Sequence, residues 1–232
     1  MSVHAQRAFE LLKESVLSLG TLVEESLREA MRALNERDEA LAQQVIEDDS
    51  RIDDLEVDIE EECLKLLALY QPVAADLRFI VAVLKINNDL ERVGDISVNI
   101  AERASFLARH APPKAVLDFK SMAAKSQRML QRSLDSLVRG DVVQALEVCV
   151  SDEEVDTINR DMYIQIQKAI LKNPEDLESL IHLLSISRHL ERAADLASNI
   201  AEEVIYMVEG KIIRHKAEEY SSARLAANAE TN

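Results

Sequence analysis

The segment LERVGDISVNIAE, residues 90–102, returns as LERAADLASNIAE, residues 190–202, one hundred positions further along the chain. Eight of its thirteen positions are identical in the two copies. Every residue type in both copies is tolerated within an α-helix. A helical segment repeated at this distance indicates that the chain contains two copies of one helical unit.

The repeat extends beyond this segment. Two apolar positions and one pair of acids also recur: Leu84 and Ile86 with Leu184 and Ile186, and Asp49 and Asp53 with Asp152 and Asp156. The repeated unit is therefore larger than one helix, and we expect it to be a helical hairpin plus a third helix.

Composition predicts an all-α fold. The 232 residues include only four Gly and four Pro, aromatic residues make up 3% of the chain, and Trp is absent. Little material remains for turns or for the β-branched and aromatic runs that strands favour. The length is sufficient for two domains that each bury a core.

Turn residues divide the chain into six long amphipathic segments. The predicted helices run approximately over 9–34, 38–70, 72–110, 115–138, 142–172 and 173–221. Short loops between long helices make neighbours antiparallel, so we expect two tandem, pseudo-symmetric three-helix bundles built from six long antiparallel helices. The double-proline break at 111–114 places the boundary. The predicted units are 1–111 and 112–221, followed by a frayed tail at 222–232.

Charge and cysteine usage narrow the function. A net charge of −16 repels the phosphates of nucleic acids, so we expect no nucleic-acid partner. Cys63 and Cys149 lie far apart and form no CxxC motif, which predicts small core residues in a reducing compartment. No signal peptide or membrane-spanning run is visible, so we expect a cytoplasmic protein without direct membrane insertion.

Acidic side chains form stripes along the repeated helices. At about 100° per residue, the acids of the third predicted helix lie within roughly 80° of one another, opposite its apolar face. Those of the second predicted helix lie within roughly 60° and flank its apolar residues. The candidate ligands are Asp49, Asp53, Glu91, Asp95 and Asn99 in the first half, and Asp152, Asp156, Glu191, Asp195 and Asn199 in the second. An antiparallel hairpin could bring the two acidic rows of each half alongside each other.

Two interpretations of the stripes remain open. Carboxylates one turn apart, with an Asn carbonyl, suit Mg²⁺, Ca²⁺, Mn²⁺ or iron, whereas zinc is less well matched without His or Cys. Alternatively, the stripes are solvated helix faces on which Arg92 pairs with Asp95 and Arg192 with Asp195. The solvated face does not explain why the Asn is repeated together with the acids.

Other polar residues are weaker candidates. His182 and His189 face different sides of one predicted helix, as surface or core histidines commonly do. Arg78, Arg92 and Arg192 could hold an anion such as phosphate, but they are dispersed, and salt bridging is the ordinary role. The chain has no P-loop, dinucleotide fingerprint or nucleophile elbow, so we expect no enzymatic activity.

Three segments resemble the PhoU family of phosphate-signalling proteins: QPVAADLRFI at 71–80, LERVGDISVNIAE at 90–102 and LERAADLASNIAEEVIYMVEG at 190–210. The resemblance covers most of the chain. It implies tandem three-helix bundles with E(D)xxxD motifs that bind multinuclear metal clusters. The motif matches Asp49 with Asp53, Glu91 with Asp95, Asp152 with Asp156, and Glu191 with Asp195. With the resemblance added, metal binding becomes the favoured interpretation.

The resemblance also implies a function. It predicts a non-enzymatic adapter that represses the phosphate-starvation response by linking the ATPase subunit of the phosphate ABC transporter to a sensor histidine kinase. It further implies a homodimer. The second half departs from the first, because Arg188 replaces Asn88, Ala194 replaces Gly94, and Asn159 and Tyr163 replace two glutamates. We therefore expect fewer carboxylates at the second site.

Two rival functions remain. A metal enzyme or metal store of the carboxylate di-metal type would also build its site from helical acids, but such proteins use a Glu-x-x-His pair, which this chain lacks. A bare helical scaffold would use its acids only for solubility. Elemental analysis separates the scaffold from the metal-binding alternatives.

Overall fold

The structure, a computed structural model, describes residues 3–115, 117–213 and Tyr220. Seven α-helices and one 3-10 turn lie within these residues. They are α1 (Val3–Glu36), α2 (Glu39–Asp48), α3 (Ser50–Tyr70), α4 (Ala75–Arg109), α5 (Phe119–Arg139), α6 (Val142–Lys172), the 3-10 turn (Pro174–Asp176) and α7 (Leu177–Glu209). No strand occurs in this part of the chain, and the all-α prediction is confirmed.

The second predicted helix corresponds to α2 and α3 together. These form one rod, the α2–α3 rod, with a local irregularity where the two helices meet. Asp38 caps its start by accepting a hydrogen bond from the amide of Leu41. Asp49, at the junction, keeps helical angles, with φ −61° and ψ −34°. Its carbonyl accepts from the amides of both Ile52, at 2.8 Å, and Asp53, at 3.1 Å. The hydrogen bond from Ile52 to Asp49 spans three residues, as in a 3-10 helix, and it tightens one turn without ending the rod.

Several predicted helix ends are wrong by a few residues. The third predicted helix begins at Ala75 instead of Pro72, because Gln71 and Ala74 both have positive φ. The fourth begins at Phe119 instead of Ala115. The side chain of Asp118 caps this start by accepting a hydrogen bond from the amide of Lys120. These ends follow backbone angles that residue types alone do not reveal.

The last predicted helix ends earlier than expected. It stops at Glu209 because Gly210 adopts a left-handed conformation, φ 70°, and donates its amide to the carbonyl of Tyr206. Glycine enters this conformation at little energetic cost and commonly terminates helices. Residues 211–213, which follow, are not helical. Apart from Tyr220, the rest of the predicted continuation to Ser221 and the frayed tail at 222–232 lie outside the described residues.

Two three-helix bundles form, the first from α1, the α2–α3 rod and α4, the second from α5, α6 and α7. They pack together mainly through α4 against α7, with a smaller contact between α1 and α5. One continuous core cluster contains buried apolar residues from all seven helices. The core therefore continues across the predicted boundary at residue 111. The division into two domains stays a prediction.

The contact between α1 and α5 includes a glycine. A methyl group on Gly20 would lie 2.9 Å from Cδ1 of Leu134, closer than carbon atoms normally approach. Nearby, Lys13 donates to the carbonyl of Val138 at 3.2 Å. The absence of a side chain at Gly20 therefore lets the two bundles approach closely.

Two polar contacts join α4 and α7. They occupy equivalent positions of the internal repeat. Lys85 on α4 donates to both carboxylate oxygens of Glu203 on α7, each at 2.9 Å. Arg103 on α4 donates to the hydroxyl of Ser185 on α7 at 3.0 Å. Early residues of each helix meet late residues of the other, so α4 and α7 run antiparallel. The two bundles are thus related by an approximate twofold axis.

Candidate metal centre

The first acidic cluster lies between the α2–α3 rod and α4. Asp49 and Asp53 come from the rod, and Glu91 and Asp95 from α4. Asp49 is pressed against α4, since its Oδ1 lies only 3.2 Å from where a methyl group on Gly94 would be. The glycine in the repeated segment therefore makes room for this carboxylate.

Electrostatic coupling shows that the two acidic rows of the first bundle face each other. Burial, followed by the charges of Asp53 and Asp95, raises the pKa of Asp49 from 3.8 to about 6. Burial also raises the pKa of Glu91, and Asp95 and Asp53 raise it further. Because carboxylates repel one another, the ionised cluster is unfavourable without a compensating positive charge.

The second cluster, between α6 and α7, is more compact. One carboxylate oxygen from each of Asp156, Glu191 and Asp195 lies within 4.8 Å of the others. Asp152 is coupled to the same group. Burial, then Asp195, Asp156 and Glu191, raises the pKa of Asp152 from 3.8 to about 7. Fewer carboxylates at the second site stays a prediction, but within the described chain this is where three candidate ligand atoms converge.

Each acidic cluster contains a buried carboxylate oxygen without a hydrogen-bond partner. Oδ1 of Asp49 and Oδ1 of Asp152, which occupy equivalent positions, are inaccessible to solvent and accept no hydrogen bond from any described residue. A buried, unpaired carboxylate oxygen is energetically costly. A cation bound at each cluster would satisfy the unpaired oxygen there. The donors are carboxylates throughout, which fits a hard metal ion.

The repeated asparagines are placed less clearly. The side-chain amide of Asn99 donates to the backbone carbonyl of Asp95 at 2.7 Å, one turn back on its own helix. Asn199 is exposed. Neither observation places an asparagine side-chain oxygen among the acids. Ligation by Asn99 and Asn199 therefore stays a prediction.

Simple surface ion pairs do not account for the acids of the two clusters. Arg92 pairs with Asp89 at 3.7 Å, and the pairing with Asp95 suggested by the sequence is wrong. Arg192 lowers the pKa of Asp195, an effect smaller than those of burial and Asp156, which raise it. No ion pair within 4.0 Å joins Arg192 to Asp195 in the described part of the chain. The clusters are therefore largely uncompensated.

Sequence reasoning missed a polar link beside each cluster. Asn87, which is buried, donates to the backbone carbonyl of Glu56 at 2.9 Å and to its carboxylate at 3.1 Å. In the second bundle, Ser187 donates to Asn159 at 2.6 Å. Asn87 and Ser187 occupy equivalent positions of the repeat. The sequence signal for these two hydrogen bonds was a polar residue within an otherwise apolar helix face.

The remaining sequence predictions concern cysteines and the membrane. Cys63 and Cys149 are free, the first buried and the second half-buried. Among the helices that the structure describes, none combines the length and the apolarity required to cross a bilayer.

Comparison with known proteins identifies the family. The model of the PhoU domain matches residues 16–104 and 119–204. The chain is 40% identical over 210 residues to the phosphate-specific transport system accessory protein PhoU homolog of Aquifex aeolicus, covering 90% of this chain and 95% of that relative. It is 31% identical over 208 residues to the Escherichia coli accessory protein PhoU, covering 89% and 86%.

Two crystal structures have the same fold. PhoU from Pseudomonas aeruginosa superposes with a TM-score of 0.87 at 35% identity, covering 89% of this chain and 99% of that one. The phosphate transport system regulatory protein PhoU from Streptococcus pneumoniae gives a TM-score of 0.82 at 29% identity, covering 90% and 98%. Because both halves match the domain and the relatives span nearly the whole chain, this protein belongs to the PhoU family.

Proposed function

We propose that this protein is a non-enzymatic regulatory adapter of phosphate uptake. In this role it binds the ATPase subunit of a phosphate ABC transporter and a sensor histidine kinase, and it restrains the kinase when phosphate is plentiful. The observation that carries the proposal is the match of both halves to relatives named phosphate-specific transport system accessory proteins. The compartment that fits these partners is the cytoplasm.

Exposed apolar residues support a role in binding other proteins. At the α3–α4 connection Leu69 and Val73 are each 74% exposed, and at the end of α6 Leu171 is 78% exposed. Large apolar side chains at the tips of both hairpins give a partner surface area to bury. The same surfaces are available for self-association into a homodimer.

The acidic clusters are proposed to hold metal ions. Asp49, Asp53, Glu91 and Asp95 would hold one ion or cluster of ions, and Asp152, Asp156, Glu191 and Asp195 the other, with Asn99 and Asn199 alongside. Iron, Mg²⁺, Mn²⁺ or Ca²⁺ suits these oxygen donors better than zinc. A bound cation would supply positive charge that offsets the repulsion between the acids.

The consequence of metal binding would be mechanical. In the first bundle the acids join the α2–α3 rod to α4, and in the second they join α6 to α7. Neutralising each cluster would hold its two rods together and fix the hairpin tips that present the exposed apolar residues. Metal binding would therefore organise the partner surfaces without any catalytic step.

The adapter role is tested by affinity capture with the tagged full-length chain from cells grown in abundant phosphate. We expect the transporter ATPase and the kinase among the recovered proteins, and constitutive phosphate-starvation gene expression in a deletion strain. Recovery of neither partner, together with unchanged expression after deletion, would refute the adapter role.

The metal role is tested by elemental analysis of protein purified without chelator, followed by thermal unfolding with each candidate ion. An ion at about one hundred times its dissociation constant stabilises the fold by about 2.7 kcal/mol. We expect this gain to shrink in Asp195→Asn and to persist in Glu154→Gln, whose exposed carboxylate pairs with Lys125. Equal gains in both variants would contradict binding at the cluster. Accumulation of many ions per chain would instead favour storage.

A further inference from the structure

A groove with basic walls lies on the second bundle, next to the contact between α4 and α7. Its volume is about 320 Å³, and Arg103, Arg188 and Arg192 line it together with Ser185 and His189. The chain as a whole carries a net charge of −16. Three arginines around one groove are therefore a local reversal of the overall charge.

One of the three arginines is held in place. The Nε of Arg103 donates to the hydroxyl of Ser185 at 3.0 Å. Its Nη1 donates to the carbonyl of Asn99 at 2.8 Å and to the carboxylate of Glu102 at 3.0 Å. Its side chain is only 25% exposed. The guanidinium is thus fixed at the wall of the groove before any ligand arrives.

The other two arginines are exposed and have donors to spare. Arg188 and Arg192 lie one turn apart on α7. Within residues 3–115 and 117–213 and Tyr220, neither donates a side-chain hydrogen bond or lies within 4.0 Å of a carboxylate oxygen. Two guanidinium groups therefore remain available to an external partner.

A histidine between these arginines has one ring nitrogen without a partner. Nε2 of His189 lies 3.2 Å from the hydroxyl of Ser185, whereas its Nδ1 is buried with no hydrogen bond to any described residue. Arg103, Arg188 and Arg192 line the groove around this imidazole.

The first bundle provides an internal comparison. The repeat places Lys85, Asn88 and Arg92 where the groove has Ser185, Arg188 and Arg192. There both cations are paired, since Lys85 binds Glu203 at 2.9 Å and Arg92 lies 3.7 Å from Asp89. The same fold, at the equivalent place, is closed by ion pairs. The unpaired basic groove is consequently a property of the residues in the second bundle and not of the architecture.

We propose that this groove binds a phosphate-type oxyanion, held by the guanidinium groups of Arg103, Arg188 and Arg192. Planar guanidinium forks match the oxygens of such anions, and charge-assisted hydrogen bonds of this kind are the strong ones. Ile181, which is 52% exposed, lines the same groove and can contact an apolar substituent on an organic phosphate. This inference goes beyond the adapter role and does not depend on it.

The experiment titrates the full-length chain with inorganic phosphate and, separately, with phenyl phosphate, using isothermal titration calorimetry and the ¹H–¹⁵N signals of the arginine side chains. Protein as purified and protein dialysed against chelator are both measured. We expect one saturable site in both forms, with shifts at Arg103, Arg188 and Arg192. Tighter binding of phenyl phosphate would indicate an organic phosphate ligand, and equal binding would indicate the free ion.

Variants assign the binding to the groove. Arg188→Gln and Arg192→Gln each remove one charge-assisted contact and should weaken binding roughly tenfold, while Arg188→Lys should retain part of it. Arg92→Gln, at the equivalent place in the first bundle, should leave binding unchanged. Binding that requires metal, that survives both Gln variants, or that Arg92→Gln weakens equally would overturn the proposal, as would no saturable binding.

Discussion

Replacing Asp152 with Asn should stabilise the metal-free protein, and the gain should grow as the pH rises. Asp152 has a folded-state pKa of about 7 against an ordinary value of 3.8, mainly because of burial and also because of Asp195, Asp156 and Glu191. An acid whose pKa is raised by folding favours the folded state while it is protonated. Its contribution is full below about pH 4 and is lost as the pH rises to about 7.

The size of the effect follows from that shift. Three pKa units correspond to about 4 kcal/mol at most, at about 1.4 kcal/mol per unit. Between about pH 5 and about pH 8 the titration crosses roughly two of these units, so at most about 2.7 kcal/mol is lost from the wild type. Solvent near a partly exposed carboxylate reduces this, and we expect a difference of about 1–2 kcal/mol.

The assay is urea unfolding, followed by circular dichroism in chelator at the two pH values. The gain of Asp152→Asn over the wild type should be about 1–2 kcal/mol larger at the higher pH than at the lower pH. Glu154→Gln is the control, because this exposed carboxylate pairs with Lys125 and has a lowered pKa. With a bound metal ion the order should reverse, since the variant loses a ligand. A gain that does not depend on pH, or no gain, would refute the reasoning.

Three further predictions can be measured by the same unfolding assay. Lys85→Met should destabilise the protein by about 1.5–3 kcal/mol, because it removes the ammonium group that donates to both carboxylate oxygens of Glu203, each at 2.9 Å. The exposed Lys65→Met should cost under about 1 kcal/mol, and equal losses in the two variants would contradict this role of Lys85. Asn87→Ala should cost about 1–3 kcal/mol by removing both hydrogen bonds to Glu56, whereas the exposed Asn88→Ala should be near neutral. Gly140→Ala should cost about 1 kcal/mol through its φ of 63° alone, because the added methyl group would lie at an ordinary 3.6 Å from Val208; no loss would contradict the strain.

The amino-acid sequence by itself determined the helical class, the repeat and the two acidic rows of each half. These features are encoded locally, because helix faces follow from a fixed rotation per residue and a repeated segment is visible without any coordinates. The burial of Val93, Ile96 and Ile100 on the face opposite Asp95 follows directly from that rotation. The helix ends were less accurate because they depend on single backbone angles such as those of Gln71 and Ala74.

Only the tertiary structure decided which residues meet across helices. The approach of Asp49 to Gly94, the convergence of Asp156 with Glu191 and Asp195, and the burial of the unpaired Asp152 oxygen all depend on the distance between two packed rods. The basic groove was also invisible in the sequence. Arg103 lies far from Arg188 along the chain, and only the antiparallel packing of α4 on α7 brings them to one surface. Rotation along one helix is a local property, whereas the register between two helices is set by the packing of the whole core.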